Sequence, residues 1–403
     1  MKLKSFAILL MVSLISIGAI AQPTVQEKQL IRARFNLSGQ HYQEALSVLN
    51  TGQSSTTLVP RWTLAKAYAL AGSGLLNDAA VLFEELIELF PAEASYQLSL
   101  ISIQEHDTEH ALGYLKTHLQ SKDHFPEKRI KLDRAFTGLE NDRAWINLWQ
   151  ENWYTQSEQT IGEADYLISN GQFDEALLSL ENIPANDHYY PVACLLKGKA
   201  LRGLNQERPA MKAFGESLSG SRLNERSLAE ALDYFISEEL TDLAAITVNR
   251  LYTIDPSNPE YYISKALIQL GKGTGSSVVT EMNELEELGI GSSELYYQAG
   301  LKLQDKYPDR AMASFTKAID SGIMDARYYF SRGILKCSHT QVESGLDDLA
   351  MSLDINPNQP ELYVERGELR QVLGDVEGAC HDWQKALQMG NPKAADLIYK
   401  YCR

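Results

Sequence analysis

Cysteine is scarce in this chain of 403 residues: the four present, Cys194, Cys337, Cys380 and Cys402, are too few for a disulfide framework to replace a hydrophobic core. Basic charge is short as well. Thirty-seven lysines and arginines face 53 aspartates and glutamates, for a net charge of −16. Such a surface repels phosphate backbones and anionic headgroups, which argues against nucleic acid as a partner and against tight docking on a charged bilayer. The one long apolar run, from Phe6 to Ile20, is short for a membrane span, which needs about 20 residues. No Gly-x-Ser-x-Gly elbow occurs and no stretch reads convincingly as a strand, so neither a hydrolase nucleophile nor a strand-turn-helix phosphate loop has a place to sit.

What is present begins with an address. Met1-Lys2-Leu3-Lys4, the apolar run and Ala19-Ile20-Ala21 before Gln22 form the pattern of a secretory signal peptide over residues 1–21, cleaved after Ala21. Its removal takes away Lys2 and Lys4 and no acid, so the mature net charge becomes −18. No cysteine lies near the cleavage point to accept a lipid. The expectation is an exported, periplasmic or secreted protein with no membrane span after cleavage, in a compartment that permits disulfides.

The rest is organised by a period. Gly300, Gly333 and Gly367 lie 33 and 34 residues apart, each four residues after a tyrosine, Tyr296, Tyr329 and Tyr363. A second small position, Ala311, Gly345 and Ala379, is followed four residues on by Phe315, Leu349 and Trp383. Both registers run back to Ala33 and Ala45 near the start, with one interval of 65 between Ser99 and Ala164 where a unit has lost the pattern. A fixed period near 34 with a small residue on each of two helical patterns is the signature of a stacked helix-turn-helix solenoid. It resembles the tetratricopeptide repeat (TPR) family. The resemblance implies an all-α, right-handed superhelical solenoid of about ten repeats, with one degenerate unit and a C-terminal capping helix. Residues 22–122 hold three repeats, 123–156 the degenerate unit, and 157–403 seven repeats with a capping helix over 392–402. The closing segment from Gly378 to Cys402 is similar to that of envelope TPR proteins of Bacteroidota-type bacteria.

In the TPR family the first helix of each repeat lines a groove with its second, fifth, ninth and twelfth positions. By that resemblance the fifth position supplies Ile263, Tyr297, Phe330 and Val364, and the ninth Leu267, Leu301 and Ile334, followed by Glu368. Glu260, Glu294, Arg327 and Glu361 stand at the second position, giving an apolar strip with a mainly acidic rim. That suits an extended or helical protein segment with apolar anchors and basic flanks. The lysine and asparagines with which chaperone-binding relatives hold a terminal carboxylate are replaced here by apolar residues. The function expected is a non-catalytic interaction scaffold, with no cofactor and no metal; a purely structural spacer is the bland alternative.

Other motifs carry less. His106-Asp107-Thr108-Glu109-His110 fits the H-x-x-E-H pattern of a metal-dependent hydrolase, but the register puts His106 in a turn and His110 at the start of the following helix, so the two do not share a helix face. His118 reads as solvated. The glycine-rich stretch at 271–277 reads as a turn, since neither phosphate-loop spacing holds. Trp145, Trp149 and Trp153 recur every four residues, a stripe on one helix face that either packs into the array or faces a partner. Finally, the helix bearing Cys380 turns back near Gly390, and the two cysteines lie ten and twelve residues either side of it. At about 1.5 Å per residue on antiparallel helices they end up opposite each other, so a Cys380–Cys402 disulfide is expected, with Cys194 and Cys337 as buried thiols.

Overall fold

A computed structural model describes residues 23–52, 58–219, 225–272, 275–339 and 341–402. The expected signal peptide and the centre of the glycine-rich stretch lie outside the described residues. Among those described, all regular structure is helical. The chain divides into two compact units, one ending at Asp123 and one beginning at His124.

The first unit holds three helix pairs: Val25–Ser38 with Tyr42–Thr51, Val59–Gly72 with Leu76–Leu86, and Pro91–Gln104 with Thr108–Gln120. The second holds seven more, which we number repeats 4 to 10. They are Gln156–Ser169 with Phe173–Leu180, Tyr190–Gly203 with Glu207–Ser217, Glu225–Ser237 with Thr241–Ile254, and Pro259–Lys272 with Gly275–Leu288. Ser293–Leu303 with Pro308–Asp320, Ala326–Ser338 with Val342–Ile355, and Pro360–Val372 with Val376–Gln388 complete the set.

The periodic small residues sit where paired helices cross. A methyl group added at Gly198, Gly300 or Gly367 would stand 2.2, 2.4 or 2.5 Å from the ring of Phe214, Phe315 or Trp383 on the second helix of the same repeat. Each aromatic therefore rests against bare backbone, and all three rings are fully buried. In repeat 9 both crossing positions are glycine, and an added methyl at Gly333 would lie 3.0 Å from the Gly345 carbonyl oxygen. The repeating core is thus one large side chain wedged into one gap, unit after unit, the close packing on which stability depends.

The turn between paired helices needs one residue in the left-handed region, at a constant place in the repeat. Gly74, Gly171 and Gly374 fill it with φ of 75–85°, but Gln40, His106, Asn205 and Glu239 fill the same place with φ of 56–62°. Gly39, which the sequence suggests for this role, has φ −82° and caps the preceding helix instead.

The segment between the third and fourth repeats is three short pieces, Glu127–Lys131, a 3₁₀ turn Arg134–Leu139, and Arg143–Leu148. The tryptophans therefore do not form a stripe on one helix. Asp142 caps the last piece, accepting from the Ala144 amide at 2.7 Å. Trp149 already stands at its C-cap, and the Trp153 indole N–H reaches back to the Leu148 carbonyl at 2.7 Å, taking up an acceptor that a continuing helix would have used. Trp145 is buried, stacked on Phe136 and edge-on to Trp149.

At the C-terminus Gly390 adopts φ +88° and a short helix, Lys393–Tyr401, folds back over repeat 10. Ala394, Leu397, Ile398 and Tyr401 close over Trp383. Cys380 and Cys402 are joined there, their Cα atoms 5.7 Å apart. Cys194 is buried, whereas Cys337 is only half-buried.

Candidate partner-binding face

The seven apolar residues assigned to the groove separate into two groups. Ile263, Tyr297 and Val364 are buried within the array and are not available as surface anchors. Tyr297 packs on Phe315 and Tyr328 with ring centroids 6.0 and 5.1 Å away and carries the Arg327 guanidinium at 5.1 Å, while Val364 belongs to the cluster around Trp383. Tyr297 is thus covered by the second helix of its own repeat and by the first helix of the next, and Val364 by the second helix of its own. Leu267, Leu301, Phe330 and Ile334 are half-buried. Phe330 and Ile334 partly pack on the cluster of Leu349, Leu353 and Leu362.

Charge around this row is organised in two layers. At the rim Arg327 bridges Asp325 at 2.7 Å and Glu294 at 3.0 Å, which ties the second positions of repeats 8 and 9 together. Glu368, at the ninth position of repeat 10, is held by Lys393 of the capping helix at 2.8 Å. Beside it, burial and the Glu368 and Glu361 carboxylates push the Glu365 carboxyl above its usual range, against the pull of Lys393. Three carboxylates, Glu361, Glu365 and Glu368, thus gather on this face around the one ammonium of Lys393.

Beneath the rim lies an ionic motif that reads in the sequence as scattered charge. Asp348, nearly buried, accepts both Nε and Nη2 of Arg332 at 2.8 Å, with Lys336 Nζ also 2.8 Å away. One repeat later Asp382, fully buried, accepts Arg366 Nε at 2.9 Å and Nη2 at 2.6 Å, and Arg370 Nη1 at 2.9 Å. Arg332 and Arg366, Lys336 and Arg370, and Asp348 and Asp382 are each 34 residues apart, a signal available to anyone who aligned the charges as well as the small residues. These pairs fix first helix to second in repeats 9 and 10 and so set the face from behind.

His106 lies in its turn with φ +62°, while His110 lies in the first turn of the next helix, its Nδ1 2.7 Å from Asp107 Oδ2. The two imidazoles therefore do not share a helix. His118 is not solvated: it is fully buried, with Nδ1 2.7 Å from the Ala92 carbonyl oxygen and its ring against Tyr96. No helix among the described residues is long and apolar enough to cross a membrane.

No family model matches the chain. It is similar to Hsc70-interacting proteins 1 and 2 of Drosophila melanogaster, 30% identical over 124 residues, which is 31% of this chain and 32% of theirs. The chain thus spans only 32% of the length of the curated relatives it matches. Among solved structures, the C-terminal part of a TPR repeat-containing protein from Cytophaga hutchinsonii is 15% identical and covers 59% of this chain and 98% of its own, with a TM-score of 0.47. A tetratricopeptide repeat protein from Parabacteroides merdae is 19% identical, covering 62% and 99%, with a TM-score of 0.40. YrrB, a TPR protein with an unusual peptide-binding site, is 15% identical, covering 47% and 98%, with a TM-score of 0.39. With its near-constant period, its paired helices and an aromatic wedged against a small residue at their crossing, this chain has the fold of an all-α solenoid of tetratricopeptide-type helix pairs.

Proposed function

We propose that the protein is a non-catalytic interaction scaffold that holds an extended or helical segment of a partner protein along the first helices of repeats 7 to 10. The observation that carries this reading is the row of half-buried Leu267, Leu301 and Ile334, one per repeat, beside a rim of Glu260, Glu294 and Glu361. A solenoid presents such a row along one face, and a segment with apolar anchors and basic flanks matches it in both hydrophobicity and charge. Tyr297, Ile263 and Val364 support the face from inside and do not touch the partner.

The test is a Leu267→Glu/Leu301→Glu variant compared with a Glu343→Ala control on an exposed site of a second helix. Native helicity with loss of co-purified partners in the first and not the second is the expected result. Equal recovery from both places the binding surface elsewhere. The export reading belongs to the same proposal, resting on the charged start, the apolar run and the Ala19-Ile20-Ala21 site. Native protein should begin at Gln22 and show Cys380 and Cys402 as one cross-linked peptide on non-reducing mapping; an intact Met1, or free thiol at both cysteines in exported material, would count against it.

A further inference from the structure

Residues 124–126 form no helix, yet two of them are gripped by side chains from distant repeats. The His124 Nε2 lies 2.9 Å from Glu158 Oε1, with both side chains nearly enclosed, and the imidazole packs edge-on to Tyr154 with centroids 5.0 Å apart. The main chain is read as well. Arg226 Nη1 donates to the His124 carbonyl at 3.3 Å, and the Tyr154 hydroxyl donates to the Phe125 carbonyl at 2.8 Å. The Phe125 ring lies under two guanidinium groups, Arg129 at 3.5 Å and Arg226 at 5.5 Å from its centroid.

Glu158 and Arg226 each stand six residues before the small-position residue of their repeat, Ala164 and Leu232. That is the same second position that Glu260, Glu294 and Glu361 occupy further along. Both side chains are held in place before any ligand is considered. Glu158 Oε2 accepts from the Thr155 amide at 2.7 Å and hydroxyl at 2.8 Å, and Oε1 accepts from the Tyr189 hydroxyl at 2.6 Å; Arg226 Nε is 3.3 Å from Glu230. Main-chain carbonyls bound by side chains, with one polar and one aromatic side chain as anchors, is how an extended peptide is recognised.

We propose that His124 and Phe125 are a built-in ligand, occupying a peptide site made by Glu158 and Arg226, for which a partner segment with an imidazole or cationic side chain followed by an aromatic one competes. This rests on the reading that first-helix second positions face a partner, but it concerns repeats 4 to 6. A tethered occupant acts at an effective concentration on the order of millimolar, so an occupant of micromolar intrinsic affinity masks the site from a free segment by up to about a thousandfold.

The probe is a fluorescein-labelled peptide of residues 121–128, Ser-Lys-Asp-His-Phe-Pro-Glu-Lys, titrated by anisotropy against the full chain. A His124→Ser/Phe125→Ala variant should bind it at least tenfold tighter than the wild type, and adding Arg226→Glu to that variant should abolish binding. Equal affinity for wild type and double variant, no binding to a double variant of native helicity, or binding that survives Arg226→Glu overturns the proposal. If the double variant loses helicity, Phe125→Ala alone carries the same comparison, and unfolding of that variant also overturns it, since a displaceable ligand is not indispensable to the fold. The Leu267/Leu301 experiment lies in repeats 7 and 8, so either result can fail without the other.

Discussion

Asp382→Ala is the substitution whose cost the structure fixes most closely. The carboxylate is fully buried and receives three N–H donors, two from Arg366 and one from Arg370. Arg366 is 12% exposed and Arg370 26% exposed, so removal of the acid leaves one guanidinium nearly buried and unpaired and a second that can turn toward water. At an effective dielectric near 20 a charge pair about 4 Å apart is worth about 4 kcal/mol, and breaking a buried pair from one side costs about 3–5 kcal/mol because the remaining charge stays desolvated. A loss of about 3 kcal/mol or more is expected for Asp382→Ala. Arg370→Ala, which leaves the bidentate Arg366 pair intact, should lose nearer 1 kcal/mol. Because each repeat of a solenoid contacts only its neighbours, the damage should be local. Hydrogen exchange with the Cys380–Cys402 bridge intact should show lost protection in repeats 9 and 10 and the capping helix, with repeats 4 to 6 unchanged. A urea-unfolding loss below about 1 kcal/mol, or uniform loss of protection across the second unit, would refute the reasoning.

Two further outcomes follow from local geometry. Glu239 is exposed and holds φ +56°, where a β-carbon is penalised by about 1–2 kcal/mol and glycine is not, against glycine's extra chain entropy of about 0.5–1 kcal/mol. Glu239→Gly should therefore stabilise the second unit by up to about 1 kcal/mol in urea unfolding, and Gly374→Ala, at φ +85°, should destabilise it by a similar amount. Burial pushes the Glu158 carboxyl up, but hydrogen bonds from His124, Tyr189 and Thr155 outweigh it and bring it down from 4.5 to about 2. A depressed folded value means stability that is present above about pH 4.5 and lost as pH falls toward 2, at most roughly 3 kcal/mol, and Glu158→Gln should flatten unfolding curves across that window.

The fold was legible because its constraint is steric and repeats: any side chain at Gly300 or Gly367 would collide with Phe315 or Trp383 as they stand, so the small residues keep the register visible along the repeats. Features set by backbone conformation were less visible. The left-handed turn position is occupied by Gln40, Asn205 and Glu239 as well as by glycine, and a search for glycine alone picks Gly39 where Gln40 is the residue concerned. The tryptophan spacing of four suggested a helix longer than the chain makes, since spacing carries no information on where Asp142 begins the helix and the Leu148 carbonyl ends it. In the candidate face, second-position acids were readable from register, but the depth of each fifth-position side chain depends on which rings from other helices pack over it, as Phe315 and Tyr328 do over Tyr297. Those rings bury Tyr297 while Leu301, one helical turn on, stays half-exposed. His118 shows the same limit, since one histidine on a helix gives no sign that the Ala92 carbonyl waits for it 26 residues earlier.

The most direct test of the scaffold reading is site-specific photocrosslinking in the native organism, with a photoreactive side chain at position 301 in one strain and at position 343 in another. The account predicts discrete protein adducts from position 301 that are lost when Leu267 is changed to Glu, and none from position 343. Adducts from 343 alone, or from neither position under conditions where the protein is folded and abundant, would contradict it.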